Sequence, residues 1–200
     1  MEYAEMRKTK ESEIFASVRE EEKECEIDTG RMFLNHMAET IAFRSNLRIK
    51  LNVKNQEKLL EHVIAEDCGI TLGRAFQKML KEKMNETGIE GSGSAIGIID
   101  EAFATVAVSV EGRVGAFIDL KCEGAKSALV EDMQSCNLVA FLEGFSQGCG
   151  CTIQIIAEKG RDPHHAWEAI FRAFGEALGK TLQKNERRKG RIVGLKETME

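Results

Sequence analysis

The chain has one proline in 200 residues, few aromatics and no apolar run of membrane-spanning length. A helix that crosses a bilayer needs about 20 apolar residues in succession. The longest runs here, residues 105–110 and 152–157, are strand-sized, which excludes an integral membrane protein. The opening segment MEYAEMRKTKESE is charged throughout and has no apolar stretch of the signal-peptide type, so a cytoplasmic protein is expected. An excess of positive charge is also lacking. Lys and Arg number 28 against 33 Asp and Glu, giving a net charge of −5 and a pI near 5.6. General nucleic-acid binding wants a basic face, so that class is set aside. A small anionic substrate held by a few placed cations remains compatible. Cys149-Gly150-Cys151 lacks a C-x-x-C spacing and a second cysteine pair to complete a zinc site, so it reads as a structural, Gly-rich entry into a strand. Without a secretory signal the six cysteines read as reduced thiols.

What is present is a globular composition, 42% hydrophobic and 30% charged. With proline nearly absent, glycines and charge runs mark the boundaries. Residues 12–18 and 25–28 read as a strand and its return. Phe33, Met37 and Ile41 share a helical face over residues 32–43. Residues 47–53 alternate, with Leu47, Ile49, Leu51 and Val53 on one side, as in a half-buried strand. A long helix is expected over 59–80 and a polar linker over 81–93. Strands at 94–99, 102–110 and 114–121, a helix at 137–147, a strand at 152–157 and a helix at 164–182 complete the order. The basic run 184–191 reads as a solvated tail able to reach a phosphate.

The two long helices open alike. His62-x-x-x-Glu66 begins one, His164-His165-x-x-Glu168 begins the other, and Gly73 and Gly175 follow at the same offset. The expectation is a duplicated ββαβα unit, residues 1–90 and 91–200, each a sheet with helices on one face, the helices of the two halves burying one another. Residues four apart share a helix face, so each His/Glu pair is able to bind one metal ion, while His165 points about a quarter-turn away and offers a ligand to another ion. Imidazole and carboxylate without thiolate suit Mn, Fe, Co or Zn, and octahedral N/O coordination favours Mn.

The blocks Arg7-x-Thr9-x-Glu11, Asp28-Thr29-Gly30 with Phe33-Leu34-Asn35-His36-Met37, and His62 with Glu66-Asp67-Cys68-Gly69-Ile70-Thr71-Leu72-Gly73 resemble imidazoleglycerol-phosphate dehydratase. Asp100-Glu101-Ala102, Gly112-Arg113 and the segment from Gly160 through His164, His165 and Glu168 to Gly175 continue the likeness in order. The resemblance implies an α+β, duplicated ferredoxin-like two-layer fold and a large homo-oligomer, a 24-mer in the family. It also implies a dinuclear Mn2+ site between subunits and removal of water from imidazole glycerol phosphate in histidine biosynthesis. Carried over residue by residue, it makes His36, His62, Glu66, His164, His165 and Glu168 metal ligands. Glu11 becomes the acid–base or hydroxyl-binding group, and Arg113 and Lys196 the phosphate contacts. The chain departs from the family pattern at Asn35, Val63, Gly91 and Gln154, and in the segment from Gly194 to Glu197, where only Lys196 matches the phosphate loop. A relative with one reduced metal site and a non-catalytic assembly subunit therefore stand as the alternatives.

Overall fold

The computed structural model describes residues 1–20 and 24–194. The first unit runs β1 (Glu2–Lys8), β2 (Glu13–Arg19), β3 (Glu26–Asp28), α1 (Met32–Ser45), β4 (Arg48–Val53) and α2 (Glu61–Glu86). The second runs β5 (Ser92–Ile99), β6 (Ala102–Ser109), β7 (Gly115–Leu120), α3 (Glu123–Lys126), β8 (Leu129–Val130), β9 (Met133–Gln134), α4 (Ser135–Cys149), β10 (Thr152–Lys159) and α5 (Pro163–Thr181). Their sheets have matching strand orders, β1-β2-β4-β3 and β5-β6-β10-β7. In both, the short last strand lies parallel to its neighbour at the sheet edge and all other pairs are antiparallel. This is the duplicated ferredoxin-like α+β architecture, with one strand more in each main sheet than ββαβα and with α3 and the β8–β9 hairpin inserted in the second unit.

Three details differ from the sequence reading. Residues 2–8 form a strand although Glu, Arg and Lys crowd it, because only alternate side chains face inward and its partner β2 supplies the buried Ile14, Ala16 and Val18. The segment near 25–28 does not return against β2 but pairs with β4 as an edge. The polar stretch 81–93 is no linker: α2 continues to Glu86 and β5 starts at Ser92. Good helix formers such as Lys81, Glu82 and Lys83 extend a helix whose inner face still buries Met84.

Periodicity elsewhere does what it should. Along β4, Ile49, Leu51 and Val53 are buried while Arg48, Lys50 and Asn52 lie on the outer side. α5 starts where the Asp162 carboxylate accepts from the backbone of His164 (2.8 Å) and His165 (3.4 Å), with Pro163 in the first turn. α1 and α4 both end on a left-handed residue, Asn46 (φ 56°) and Gly150 (φ 73°).

α2 packs on β1 and β2 with one side and on α4 with the other, while α5 packs on β5 and β6 and on α1. The helices of the two halves thus share a core containing Phe76, Phe141, Phe145, Phe171 and Phe174. The α2–α4 crossing is close because glycine meets backbone. A methyl at Gly69 would strike the carbonyl of Phe141, and one at Gly148 the carbonyl of Ile70. Such an approach fixes the two His-bearing helix starts relative to their partners.

Candidate metal centre

Four elements converge where α5 begins. α5 carries His164 and Glu168 one turn apart, and α1, packed along it, carries His36. Glu168 Oε2 stands 3.2 Å from His36 Nε2 and 3.2 Å from His164 Nε2, and these three atoms all lie within 4.8 Å of one another. Ligand atoms in neighbouring octahedral positions, each about 2.1 Å from an ion, are separated by roughly 3 Å. The spacing therefore fits a small divalent cation.

The other oxygen, Oε1, accepts from Arg172 Nε (2.9 Å) and Nη2 (2.6 Å), which aims Oε2 at the imidazoles. Only 6% of Glu168 is exposed. Burial pushes its carboxyl up, but hydrogen bonds from Arg172 and His36 outweigh that and leave it below its ordinary value. It is a carboxylate at neutral pH. His164 is backed on its far side by Glu131 Oε1, 2.9 Å from Nδ1. A carboxylate there accepts a hydrogen bond from Nδ1–H and leaves the Nε2 lone pair facing the centre, the usual second partner of a metal-bound histidine. The Phe33 ring packs edge-on against His164 at 5.1 Å. Met32, Phe33, His36, Glu131, Asp132 and His164 line an open cavity of about 440 Å³ in front of the set.

The turn between β8 and β9 makes this possible. Glu131 adopts φ 50° there, and Asp132 accepts from the backbone of Met32 (2.7 Å) and Phe33 (2.9 Å) at the start of α1. A negative charge at that helix terminus is favourable. The hairpin of the second half thereby clamps the helix of the first.

The profile of imidazoleglycerol-phosphate dehydratase matches residues 29–178. The imidazoleglycerol-phosphate dehydratase of Methanocella arvoryzae is 36% identical over 183 residues, 91% of this chain and 92% of that protein. Its counterpart in Sulfolobus acidocaldarius is 33% identical over 86% of this chain and 87% of its own. The chain belongs to the imidazoleglycerol-phosphate dehydratase family. Among solved structures, the Staphylococcus aureus imidazoleglycerol-phosphate dehydratase superposes with TM-score 0.80 at 26% identity, covering 92% of this chain and 100% of that one. The Pyrococcus furiosus enzyme gives 0.79 at 29% identity, covering 96% and 99%.

Against that family pattern, the residues marked out from sequence fall into separate places. His36, His164 and Glu168 form the set above. His165 turns away to Glu101 Oε2 (2.9 Å from Nδ1) and Asp100 Oδ2 (3.5 Å from Nε2). The Glu101 hydrogen bond raises its pKa, with Asp162 and Asp100 adding to the effect. His62 and Glu66 begin α2, 4.0 Å apart and largely exposed; His62 Nδ1 lies 3.3 Å from Asn137 Oδ1. Glu11 is exposed in the β1–β2 turn, its backbone N–H donating to Thr9 Oγ1 at 3.0 Å. That turn is fastened to α2 at Asp67, which accepts from Ser12 and from Arg7 Nε (2.7 Å). Arg113 is exposed between β6 and β7. Lys196 lies outside the described residues. Gln154 is on the outer face of β10 beside Ser94, Thr152 and Lys180. Asn35 holds the loop before α1 by accepting from Thr29 N (2.9 Å) and Oγ1 (2.7 Å).

Sequence reasoning passed over Glu131, Asp132 and Arg172. Arg172 follows Glu168 by four residues on a helix, a spacing that announces an ion pair. Glu131 and Asp132 had a weaker signal: two adjacent acids inside an apolar stretch, with no periodicity to say where the turn would point.

Proposed function

We propose that this protein removes water from imidazole glycerol phosphate, the carbon–oxygen lyase reaction of its family in histidine biosynthesis, and that it does so in the cytoplasm with Mn2+ held by His36, His164 and Glu168. The observation that carries the reading is the convergence of two imidazole Nε2 atoms on one oxygen of a buried, arginine-clamped carboxylate. Oxygen and nitrogen donors without sulfur are what manganese prefers. When bound, the ion would supply Lewis-acid stabilisation of charge on the substrate's imidazole.

The protein's own groups do the rest. Glu168 stays ionised because Arg172 neutralises one oxygen, so the site keeps its anionic donor without a proton to lose. Glu131 fixes the tautomer of His164. Glu11 is the proposed acid–base group that assists departure of hydroxide, and Arg113 and Lys196 the proposed phosphate contacts. In one chain the Glu11 turn is anchored beside Glu66, on the α2 side, rather than on the α1/α5 pair. The reading therefore requires a second copy to complete the site, in keeping with a homo-oligomer. Exposed apolar side chains support self-assembly: Ile96 (54% exposed) and Ile98 (58%) on β5 and Phe117 (58%) on β7 lie on the outer face of the second sheet, at its two edges.

The test is direct. Protein purified with Mn2+ is given imidazole glycerol phosphate and the ketone product, imidazole acetol phosphate, is measured. Turnover that falls at least about 100-fold in His36→Ala, with the fold intact by circular dichroism, is the expected result. No product from the manganese-loaded protein would overturn the reading.

A further inference from the structure

The duplication allows one half to serve as a control for the other. Gly73 stands against Phe145 and Cys149 of α4, and Gly175 against Ile41 and Arg44 of α1, so the two helix pairs superpose pair on pair. The left-handed caps Asn46 and Gly150 fix the register of α1 on α4. Counted back ten residues from those caps, His36 corresponds to Ala140. Phe33, which packs on His164, corresponds in the same register to Asn137, which hydrogen-bonds His62. Along the other helix His62 matches His164 and Glu66 matches Glu168, but Val63 stands for His165 and Ile70 for Arg172.

The second cluster therefore lacks a donor and an aiming group. Its helix partner offers the methyl of Ala140 at the place of the His36 imidazole, and Ile70 stands one turn beyond Glu66 where Arg172 follows Glu168. The consequences are visible: the His62 and Glu66 side chains are 63% and 48% exposed and 4.0 Å apart, against 32% and 8% for His164 and Glu168 at 3.2 Å. His62 instead engages Asn137, whose amide nitrogen donates to Glu61. That network ties His62 Nδ1 to a side-chain amide.

We infer that the protein builds a metal centre in one half only: a divalent cation is held tightly between α1 and α5, and the α2/α4 counterpart holds none of comparable affinity. This rests on the reading of His36, His164 and Glu168 as ligands, and goes beyond it by assigning an asymmetry to a duplicated fold. The experiment is metal content of the full-length protein in its native assembly, loaded with Mn2+, desalted and measured by mass spectrometry. One ion per chain is expected in the parent protein and again in His62→Ala. In His36→Ala and in the milder His36→Asn, Mn2+ affinity should fall roughly 10- to 100-fold by titration. Circular dichroism of each variant separates loss of metal from loss of fold. Two ions per chain, as would follow if a neighbouring copy supplied the missing donors, overturns the asymmetry while leaving the α1/α5 site standing. So does a His62→Ala protein that loses as much metal as His36→Ala. No bound ion in the parent protein overturns the α1/α5 assignment itself, and the asymmetry with it.

Discussion

Two carboxylates with opposite tasks flank the start of α5. Glu168 faces inward and is shared between Arg172 and the imidazoles, so each of its oxygens has a fixed assignment. Glu131 lies outside the donor set and acts only through His164. Removing such a backing group commonly costs 10- to 100-fold in metal affinity. Glu131→Ala should therefore weaken Mn2+ binding by about that factor, measured by titration, with Glu131→Gln in between because an amide oxygen still accepts the Nδ1 proton. Glu101 does a related job for the preceding loop. Hydrogen bonds from the backbone of Asp162, from His165 and from Arg161 hold its carboxyl down at about 2. A carboxyl depressed on folding contributes stability above its ordinary value and loses it as pH falls toward the depressed one. The α5 start should thus stay ordered from neutrality to well below pH 4.5, the ordinary value, and release as pH approaches 2. Histidine side-chain and Asp162 amide resonances followed by NMR across that range check it; release already near the ordinary value would count against the contact. Of these groups His164 and Glu168 were legible from helical spacing, which predicts which side chains share a face, whereas His36, on another helix, was marked out only by the family resemblance. Spacing could not show that His165 turns to Glu101, since that partner lies 64 residues away in sequence.

Helices and strands were easier to read than their neighbours. The alternation in β4 and the amphipathic run of α5 follow from local periodicity, and the repeat of the His-x-x-x-Glu start gave the duplication. Strand β1 was hidden because an edge strand with charges on both faces, Glu2 and Lys8 on one and Glu5 and Arg7 on the other, resembles a polar tail until β2 is laid beside it. The β8–β9 hairpin was hidden for a different reason: with strands of two residues each, it is held by where Asp132 meets α1 rather than by its own pattern. The glycines of α2 and α4 mattered through packing. Gly69→Ala would press a methyl into the backbone of Phe141, which has no rotamer to yield. A destabilisation of roughly 1–3 kcal/mol is expected, read as a lowered thermal midpoint. An unchanged midpoint would mean that the helices separate more easily than the close crossing implies.

At the scale of the molecule, the two outer sheet faces have different characters. The face of β1, β2 and β4 exposes Met6 but is mostly polar, with ion pairs such as those of Arg48 and Lys50 with Glu26 of β3. The face of β5, β6, β7 and β10 shows Ile96, Ile98 and Phe117 to solvent. The second face is the one that the proposed homo-oligomer would bury. Phe117→Glu should shift the assembly toward smaller species in light scattering without altering the circular dichroism of the chain; an assembly of unchanged size would place the contact elsewhere. The inner faces diverge as well, since α1 and α5 bring together the donors that α2 and α4 leave dispersed. Family likeness spans this whole fold, yet where an ion sits depends on a handful of side chains that likeness alone does not position. The most direct measurement is anomalous scattering from crystals grown with Mn2+. A strong peak between His36 Nε2, His164 Nε2 and Glu168 Oε2 is predicted. Manganese bound elsewhere, with those three atoms still hydrogen-bonded to one another, would contradict the account.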